Sequence, residues 1–252
     1  MARLSPQLTG VLPPRYLGTE WQPPSRLDEE AALRLGPAQA IVELLRPLVE
    51  ERRAARMDEV AASRLSGVVV VLEDLHDPHN GGAVLRSSEA MGVHEVHIIA
   101  SRERFRVSDK VTQGADKWLE VIEHRSTEAS LQSLRQRGFR LAAAVPGART
   151  QLDELDPLVP TALLMGNEHA GLSAVARSLC DVEFAIPLHG FSESLNLSVA
   201  TALSTFSLTS RRRAALGRRG DLDEAGLLEL RARYYLRHVR GALTIVAQRL
   251  NP

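Results

Sequence analysis

Short aliphatic runs alternate with stretches of helical periodicity through the middle of the chain. The first run, VVVVLED at residues 68–74, is rich in β-branched residues and lies between a glycine and a turn, which is typical of a buried strand. Similar runs occur at 96–100, 119–122, 139–145, 162–165 and 182–186, and helical stretches occur at 82–91, 127–137 and 173–180. This alternation predicts an α/β domain over residues 67–208, with a largely parallel sheet buried on both faces.

The segments on either side of this domain have different patterns. Residues 1–27 contain five prolines and little periodicity, so we expect a mobile arm there. Apolar residues recur at three- and four-residue steps over residues 28–66, with Pro37 dividing two helices, which predicts an N-terminal helical extension. Residues 209–252 are predicted to form a basic C-terminal helical extension, whose last helical pattern runs over residues 223–250.

The charge of the chain is balanced overall but unevenly distributed. It has 252 residues, with 31 basic and 31 acidic side chains. Residues 151–210 contain one arginine, Arg177, and seven acidic residues, whereas residues 211–252 contain ten arginines and four acidic residues. Clustered arginines are typical of a surface that binds a phosphate backbone and also of a solvated helix face, so both interpretations stay open here.

The composition and the absence of common motifs exclude several classes. The longest aliphatic runs fall far short of the roughly 20 residues of a membrane helix, and we expect neither a membrane span nor a secretory signal. Cys180 is the only cysteine, which excludes an internal disulfide and favours a cytoplasmic location. His76 and His79 have no third ligand at a characteristic spacing, so no metal is expected. The patterns GxGxxG, GxxxxGK(S/T) and GxSxG are absent.

The first unusual segment, DPHNGGAVLRSSEAMG at residues 77–92, follows the first strand. Asp77 and Pro78 stop the strand, Asn80 is expected to cap a helix, and two glycines let the backbone approach a neighbour closely. Arg86 is expected to project from the first turns of that helix. Taken alone, the segment also fits an ordinary strand–turn–helix with an exposed arginine.

Two further segments combine glycine, proline and small polar residues at strand ends. LLMGNEHAGLS, at 163–173, has two glycines whose backbone amides can line a cleft at the carboxyl end of a strand, where open α/β sheets bind ligands. IPLHGFSESLNLSVATALS, at 186–204, places Ser194, Asn196 and Ser198 where a helix starts. Such residues also serve merely as helix caps, so a structural interpretation of both segments stays open.

In this order and at these separations, the three segments resemble the SPOUT superfamily of RNA methyltransferases, specifically its SpoU or TrmH branch of ribose 2′-O-methyltransferases. The resemblance covers about residues 67–208 and parts of both flanks. It implies a parallel α/β sheet whose C-terminal part is threaded into a deep trefoil knot. It also implies a homodimer with a shared active site and S-adenosylmethionine as the cofactor. General topology rules would argue against a knot, because knots are rare.

The resemblance also implies which residues form the site. S-adenosylmethionine would be held mainly by backbone groups of three loops, at Ala144, Gly166, Gly171, Ile186, Leu188 and Leu195. The catalytic group would comprise Arg86, Asn80, Ser194, Asn196 and Glu168, with Arg86 reaching across the dimer to the partner's cofactor. A guanidinium is a poor base, so we favour Arg86 as a phosphate clamp and electrostatic activator. The family's proposal that this arginine is itself the base stays open.

The resemblance favours RNA as the substrate. Residues 56–65 and 111–121 are most similar to transfer-RNA enzymes that methylate a guanosine of the D-loop. Ribosomal RNA is the alternative substrate. A non-catalytic RNA-binding protein on the same fold is the alternative from another class, and the intact set of catalytic residue types argues against it.

The helical flanks, residues 51–64 and 211–249, are expected to bind the RNA. Arg211, Arg212 and Arg213 are predicted to contact phosphates, because arginine binds phosphate oxygens bidentately. Tyr234 and Tyr235 either stack on exposed bases or pack between helices, and the sequence leaves both interpretations open.

Overall fold

A computed structural model describes residues 24–101, 112 and 114–250 of the chain. The chain divides into two compact units: Ser63–Asp221 forms one, and the segments on either side of it form the other. The predicted arm, residues 1–27, lies almost wholly outside the described residues, as do residues 111 and 113 of the transfer-RNA-enzyme-like segment.

The described residues of the unit Ser63–Asp221 form one sheet of seven strands, and every neighbouring pair is parallel. The strands are β1 (Leu65–Glu73), β2 (Val93–Ile99), β3 (Glu120–His124), β4 (Arg140–Ala144), β5 (Thr150–Gln151), β6 (Thr161–Met165) and β7 (Val182–Ala185). Their order across the sheet is β3-β2-β1-β6-β4-β7-β5, so β1 and β6 lie in the middle. The α/β class and the parallel sheet predicted from the sequence are confirmed.

Helices cover both faces of this sheet. They are α4 (Pro78–Ala90), α5 (Thr127–Gln136), α6 (Ala174–Leu179) and α7 (Leu197–Leu216). Alternate residues of β1 serve different cores: Val68 and Val70 pack in a cluster with residues of α4 and α7, whereas Val69 packs with residues of α5 and α6. Each buried valine side chain stabilises the fold by about 2 kcal/mol. Burial on both faces explains why β1 is an uninterrupted aliphatic run.

Within the Ser63–Asp221 unit, most element boundaries lie within three residues of those predicted from the sequence, with two exceptions. Strand β5 was missed because two residues carry no periodicity. Helix α4 begins at Pro78, four residues before the prediction, and its N-cap is Asp77, which accepts a hydrogen bond from the backbone N of His79 at 2.8 Å. The prediction that Asn80 caps this helix is therefore wrong. Proline suits the first helical position because its missing N–H would have no partner there.

The described part of the second unit, residues 24–62 and 222–250, contains five α-helices: α1 (Arg26–Leu35), α2 (Ala38–Leu45), α3 (Glu51–Ala62), α8 (Glu224–His238) and α9 (Ala242–Leu250). Pro37 separates α1 from α2, as predicted. Instead of one helical pattern over residues 223–250 there are two helices, because Gly241 has a left-handed backbone (φ 74°) that interrupts the pattern. None of the helices in the described part of the chain is long and apolar enough to cross a membrane.

Buried polar groups pair within this helical unit. Glu29 is 1% exposed and accepts hydrogen bonds from Arg237 at 2.5 and 2.8 Å. Asp58 accepts from the Tyr235 hydroxyl at 2.9 Å and from Arg231 at 2.7 Å. Tyr234 and Tyr235 are both buried, so packing is the correct interpretation of these two tyrosines.

The predicted boundary between residues 208 and 209 falls inside α7, and the unit Ser63–Asp221 includes the whole of that helix. Arg212, on the last turns of α7, donates to Asp221 at 2.6 Å, and both side chains are less than a tenth exposed. The same carboxylate accepts from the backbone N of Gly67 at 3.0 Å. A Cβ on Gly67 would lie 2.1 Å from the Arg212 guanidinium, so any larger residue there would displace this side chain.

Candidate active site

Three adjacent strands end side by side at the carboxyl edge of the sheet. Strand β4 lies between β6 and β7, so Ala144, Gly166 and Ile186, which end or directly follow these strands, lie at neighbouring positions on one edge. The carboxyl edge is where open parallel sheets bind ligands. Three residues that are 20 or more positions apart in sequence are therefore gathered by the strand order.

The loop after β6 has a conformation that requires glycine at two positions. A Cβ on Gly166 would lie 2.2 Å from the carbonyl carbon of Gly171, so the backbone folds back directly over residue 166. Asn167 and Gly171 exchange backbone hydrogen bonds of 3.0 and 2.8 Å, and Gly171 has a left-handed φ of 68°. The two glycines singled out in the sequence thus close a compact loop.

A chain of hydrogen bonds joins all three polar segments. The side-chain amide of Asn196 donates to Asn80 Oδ1 at 3.1 Å, and the amide of Asn80 donates to Glu168 Oε1 at 2.9 Å. Asn80 is 116 residues from Asn196 and 88 residues from Glu168. The structure therefore brings together three of the five predicted catalytic residues.

Glu168 is the charged end of this chain. Its carboxylate also accepts from the backbone N atoms of His76 at 3.1 Å and Asp77 at 3.3 Å. Burial acts to raise the pKa of Glu168, but the hydrogen bonds from Asn80, His76 and Asp77 outweigh it and lower the pKa below its ordinary value. Glu168 is therefore an ionised acceptor at neutral pH, suited to orienting amides and not to donating a proton.

Asn196 orients the start of α7 while it contacts Asn80. Its Oδ1 accepts from the backbone N of Ser198 at 2.8 Å and from the Ser198 hydroxyl at 2.6 Å, as an N-cap residue does. Its amide nitrogen therefore points to Asn80. Ser194, two residues earlier, is exposed and makes no hydrogen bond within the described part of the chain. The structure does not bring Ser194 into the Asn80–Glu168–Asn196 chain.

Arg86 is set apart from that chain. It lies on α4 six residues after Asn80, about 240° further around the helix, so the two side chains leave α4 in different directions. Its side chain is exposed and has no hydrogen bond or ion pair with any other described residue. Within one chain, Arg86 is available to an external group.

Histidines lie beside Glu168, but no metal-binding cluster does. The rings of His76 and His169 meet edge to face at a centroid distance of 5.5 Å. Across residues 24–101, 112 and 114–250, no three His, Cys, Asp or Glu side chains are arranged to hold a metal ion.

The SpoU rRNA Methylase family model matches residues 67–206, which is more than half of the chain and includes every residue of the site described above. The chain belongs to the SpoU rRNA methylase family. A tRNA (guanosine(18)-2′-O)-methyltransferase from Escherichia coli (strain K12) is 35% identical over 164 residues, covering 65% of this chain and 72% of that protein.

Two crystal structures give the family a three-dimensional reference. The A. aeolicus TrmH/SpoU tRNA modifying enzyme is 27% identical, covers 73% of this chain and 95% of its own, and superposes with a TM-score of 0.67. The SpoU methyltransferase AviRb from Streptomyces viridochromogenes, solved in complex with AdoMet, is 25% identical with a TM-score of 0.55, covering 61% of this chain and 62% of its own.

The arginines predicted to bind phosphates are occupied within this SpoU family chain. Arg211 donates to the carbonyl oxygens of Leu152 and Leu155 at 2.9 and 2.6 Å. Arg213 donates to the carbonyl oxygens of Ser63 and Met91, both at 3.0 Å, and Arg212 pairs with Asp221 as described above. The prediction that these three arginines contact RNA phosphates is not supported by their surroundings, because their donors already have partners.

Sequence reasoning also missed the residues that hold the loop after β6. Glu73 and Asp74 end the first aliphatic run and bind residues of that loop through hydrogen bonds. A carboxylate directly after a run that is buried on both faces is the only signal that could have drawn attention to Glu73.

Proposed function

We propose that the chain is an S-adenosylmethionine-dependent RNA 2′-O-methyltransferase that modifies a guanosine in the D-loop of transfer RNA. The observation that carries the proposal is the Asn196–Asn80–Glu168 hydrogen-bond chain beside the three gathered strand ends. Membership of the SpoU family and the names of the relatives agree with it.

The loops at the carboxyl edge fit S-adenosylmethionine. The predicted cofactor-binding residues are Ala144, Gly166, Gly171, Ile186, Leu188 and Leu195, and none of them is fully buried. The partly exposed backbone of Gly166 offers a donor and an acceptor, whereas the backbone groups of Gly171 are paired with Asn167 and close the loop around the site. The aliphatic side chains offer an apolar wall suited to an adenine ring. The neighbour AviRb was crystallised with AdoMet, which supports the same group here.

The same arrangement supports the proposal of a trefoil knot. Strand β7 lies on the far side of β4 from β6, yet Asn196, eleven residues after β7 ends, contacts Asn80 beyond β1. The chain must therefore cross the carboxyl ends of β4 and β6. Further on, Arg211 binds carbonyl groups of Leu152 and Leu155, in the connection between β4 and β6, so these two segments run past each other.

The bound cofactor would supply a sulfonium methyl group, so that an O–CH₃ bond forms at the ribose 2′-oxygen as the S–CH₃ bond breaks; S-adenosylhomocysteine would leave neutral and the hydroxyl proton would pass to solvent. Asn80 and Asn196 would position the hydroxyl by hydrogen bonding, and Glu168 would hold Asn80 in the required orientation. Arg86 would bind the adjacent phosphate and stabilise negative charge that develops on the 2′-oxygen. Ser194, exposed beside Leu195, would offer its hydroxyl as a further hydrogen-bond partner for the substrate.

We propose a homodimer in which Arg86 serves the partner's site. Its direction away from Asn80 within one chain agrees with this assignment. Helix α7 also carries an exposed apolar stripe at helical spacing, formed by Val199, Leu203 and Phe206, and Phe191 is fully exposed just before the helix. Exposed stripes of this kind mark interaction surfaces, and a second copy of the chain is the proposed occupant.

The RNA-binding role is assigned to the helical unit and, in particular, to α3. Arg52, Arg53 and Arg56 are exposed on one stretch of this helix. Arg56 pairs with Glu59 at 2.7 Å but its side chain stays 63% exposed, whereas the side chains of Arg231, Arg233 and Arg237 of α8 are less than a third exposed and pair with acidic groups of their own unit. We expect residues 67–208 to carry the chemistry, and we expect the enzyme in the cytoplasm with its transfer RNA substrate.

Methyl transfer to purified unmodified transfer RNA, followed by nuclease digestion and mass spectrometry, tests the proposal. The expected product is 2′-O-methylguanosine in a D-loop fragment. Because the family description names ribosomal RNA, unmodified ribosomal RNA is the parallel substrate. Methylation of ribosomal RNA alone would overturn the transfer-RNA assignment, and RNA binding without methylation of either substrate would indicate a non-catalytic protein.

A further inference from the structure

A buried carboxylate ends the central strand β1 at the base of the proposed site. Glu73 is 4% exposed. Its Oε1 accepts from the hydroxyls of Thr127 at 2.6 Å and Ser173 at 2.8 Å, and its Oε2 accepts from the backbone N of Ser173 at 2.8 Å. No arginine, lysine or histidine of the described residues forms an ion pair with it.

A buried carboxyl group such as that of Glu73 is unfavourable for folding unless hydrogen bonds compensate for its loss of water. Burying a carboxyl group without a cation carries a desolvation cost, and the three hydrogen bonds from Thr127 and Ser173 offset it here. Two of the three hydrogen bonds go to one residue, Ser173. That residue is the N-cap of α6 and the last residue of the loop that follows β6.

The next residue, Asp74, holds the other end of the same loop. Its carbonyl oxygen accepts from the side-chain amide of Asn167 at 2.7 Å. Asp74 has a positive φ of 47°, which is uncommon outside glycine, and its carboxylate accepts from the backbone N and the hydroxyl of Ser101 at 2.8 and 2.7 Å. Two consecutive residues at the end of β1 therefore hold both ends of the loop.

We propose that Glu73 is a positioning residue for methyl transfer, acting through Ser173 on the loop that presents Gly166, Glu168 and Gly171. The strand that carries Glu73 also leads into the segment with Asn80. The contact between Glu73 and Ser173 therefore fixes the position of the loop after β6 relative to the segment after β1. Without it, the loop loses its anchor at Ser173 and samples conformations that bind the cofactor weakly. The inference rests on the proposed function, because it assigns the purpose of the loop.

The decisive variant is Glu73→Gln, which keeps the size of the side chain but replaces one of its two acceptor oxygens by an amide N–H₂, so that the three hydrogen bonds from Thr127 and Ser173 can no longer all be accepted. Isothermal titration with S-adenosylhomocysteine is expected to show a Kd about tenfold higher than that of the unmodified chain. In methyl-transfer assays the KM for S-adenosylmethionine is expected to rise by a similar factor, while kcat changes less than threefold.

Thr127→Val and Ser173→Ala separate positioning from general support of the fold. Thr127 binds the same carboxylate but belongs to α5, outside the loop, so its variant is expected to bind S-adenosylhomocysteine within twofold of the unmodified chain. Ser173→Ala removes the hydroxyl contact with Glu73 and leaves the backbone N–H of Ser173 bound to it, so this variant is expected to weaken binding in the same direction as Glu73→Gln. The double variant Glu73→Gln/Ser173→Ala is expected to bind no more weakly than Glu73→Gln alone, since the hydroxyl contact is already disturbed in that variant.

Unchanged Kd in a folded Glu73→Gln variant, or equal weakening in Thr127→Val, would overturn the inference. If Glu73→Gln does not fold, Ser173→Ala decides, and normal binding by that variant is equally contradictory. Failure of the proposed function is distinguishable, because the unmodified chain itself would then show no methyl transfer. Folding of each variant is checked by circular dichroism and urea unfolding.

Discussion

Two polar regions of the Ser63–Asp221 unit differ in residue type and in whether their polar groups are left accessible to a ligand. At the carboxyl edge of the sheet, Asn80 and Asn196 are partly exposed and joined in a chain that ends in one carboxylate. At the end of α7, Arg211–Arg213 are saturated by carbonyl groups and by Asp221. The dense cluster of arginines in the sequence therefore stabilises the fold through contacts within the chain, while a sparse set of amides forms the candidate active site.

The largest expected effect is loss of catalysis in Arg86→Ala. Because the side chain is exposed and has no partner among the described residues, its removal should leave the free energy of unfolding within about 0.5 kcal/mol of the original. The loss of charge stabilisation should lower kcat about 10³-fold. Single-turnover methyl transfer and urea unfolding measure the two quantities. A large loss of stability would show instead that Arg86, like Arg211–Arg213, stabilises the fold.

Mixing Arg86→Ala with Asn196→Ala sharpens the same point. Each homodimer should be nearly inactive, but a heterodimer of the two has one site with every residue intact if Arg86 serves the partner. At random pairing, recovery of about one quarter of the unmodified activity is expected. No recovery, with heterodimers confirmed by native mass spectrometry, would assign Arg86 to the site of its own chain.

The opposite result is expected for Arg212→Ala. This change leaves Asp221 buried without its cation, which should reduce the free energy of unfolding by about 3 kcal/mol. Activity per folded molecule should stay within threefold. Arg218→Ala is the matched control, since Arg218 lies exposed a few residues away and its removal should cost little. Equal stability of the two variants in urea unfolding would contradict a stabilising role for the buried Arg212–Asp221 pair.

These results bear on what the sequence could predict. All the described strands except β5 were predictable, because each contains a short aliphatic run, whereas β5 is only the polar pair Thr150–Gln151. Gly166 and Gly171 were recognisable because only glycine permits the fold-back of their loop. The role of Arg211 was not predictable, because the carbonyl groups that it binds lie more than 50 residues earlier in the chain. Sequence proximity of like charges carries no information about partners brought together by the fold.

A second cluster of paired charged groups, Glu95 with His97 and Arg137, involves strand β2, and its contribution to the free energy of unfolding should fall in acid. Burial acts to raise the pKa of Glu95, but hydrogen bonds from His97 and Arg137 outweigh it and lower the pKa to about 2. A folded pKa below the ordinary 4.5 stabilises the fold above pH 4.5, and this stabilisation is lost as pH falls towards 2. Glu95→Gln should therefore lose about 3 kcal/mol at pH 7.

The loss in Glu95→Gln should shrink progressively below pH 4.5, and urea unfolding at several pH values measures it. Glu123→Gln on β3 is a control at a neighbouring strand. A loss that is independent of pH would show that the Glu95 charge is not what stabilises this edge of the sheet.

The smallest effect is expected from the arginines of the helical unit. Replacing Arg52 and Arg56 by alanine should weaken transfer RNA binding about tenfold and reduce the slope of log affinity against log salt by about 2. Arg211→Ala should leave that slope unchanged. If filter-binding titrations showed a reduced slope for Arg211→Ala and an unchanged slope for the Arg52 and Arg56 variant, the phosphate-binding residues would lie at the end of α7 instead.

The central claim is that the amide chain at the carboxyl edge, and not the arginine cluster, performs ribose methylation. Its most direct test is the rate of 2′-O-methylguanosine formation in unmodified transfer RNA by the original chain, Asn196→Ala and Arg211→Ala, at equal concentrations of folded protein. The original chain and Arg211→Ala should form the nucleoside at rates within threefold of each other, and Asn196→Ala should form almost none. Full activity of Asn196→Ala, or methylation of a base instead of a ribose, would contradict the account.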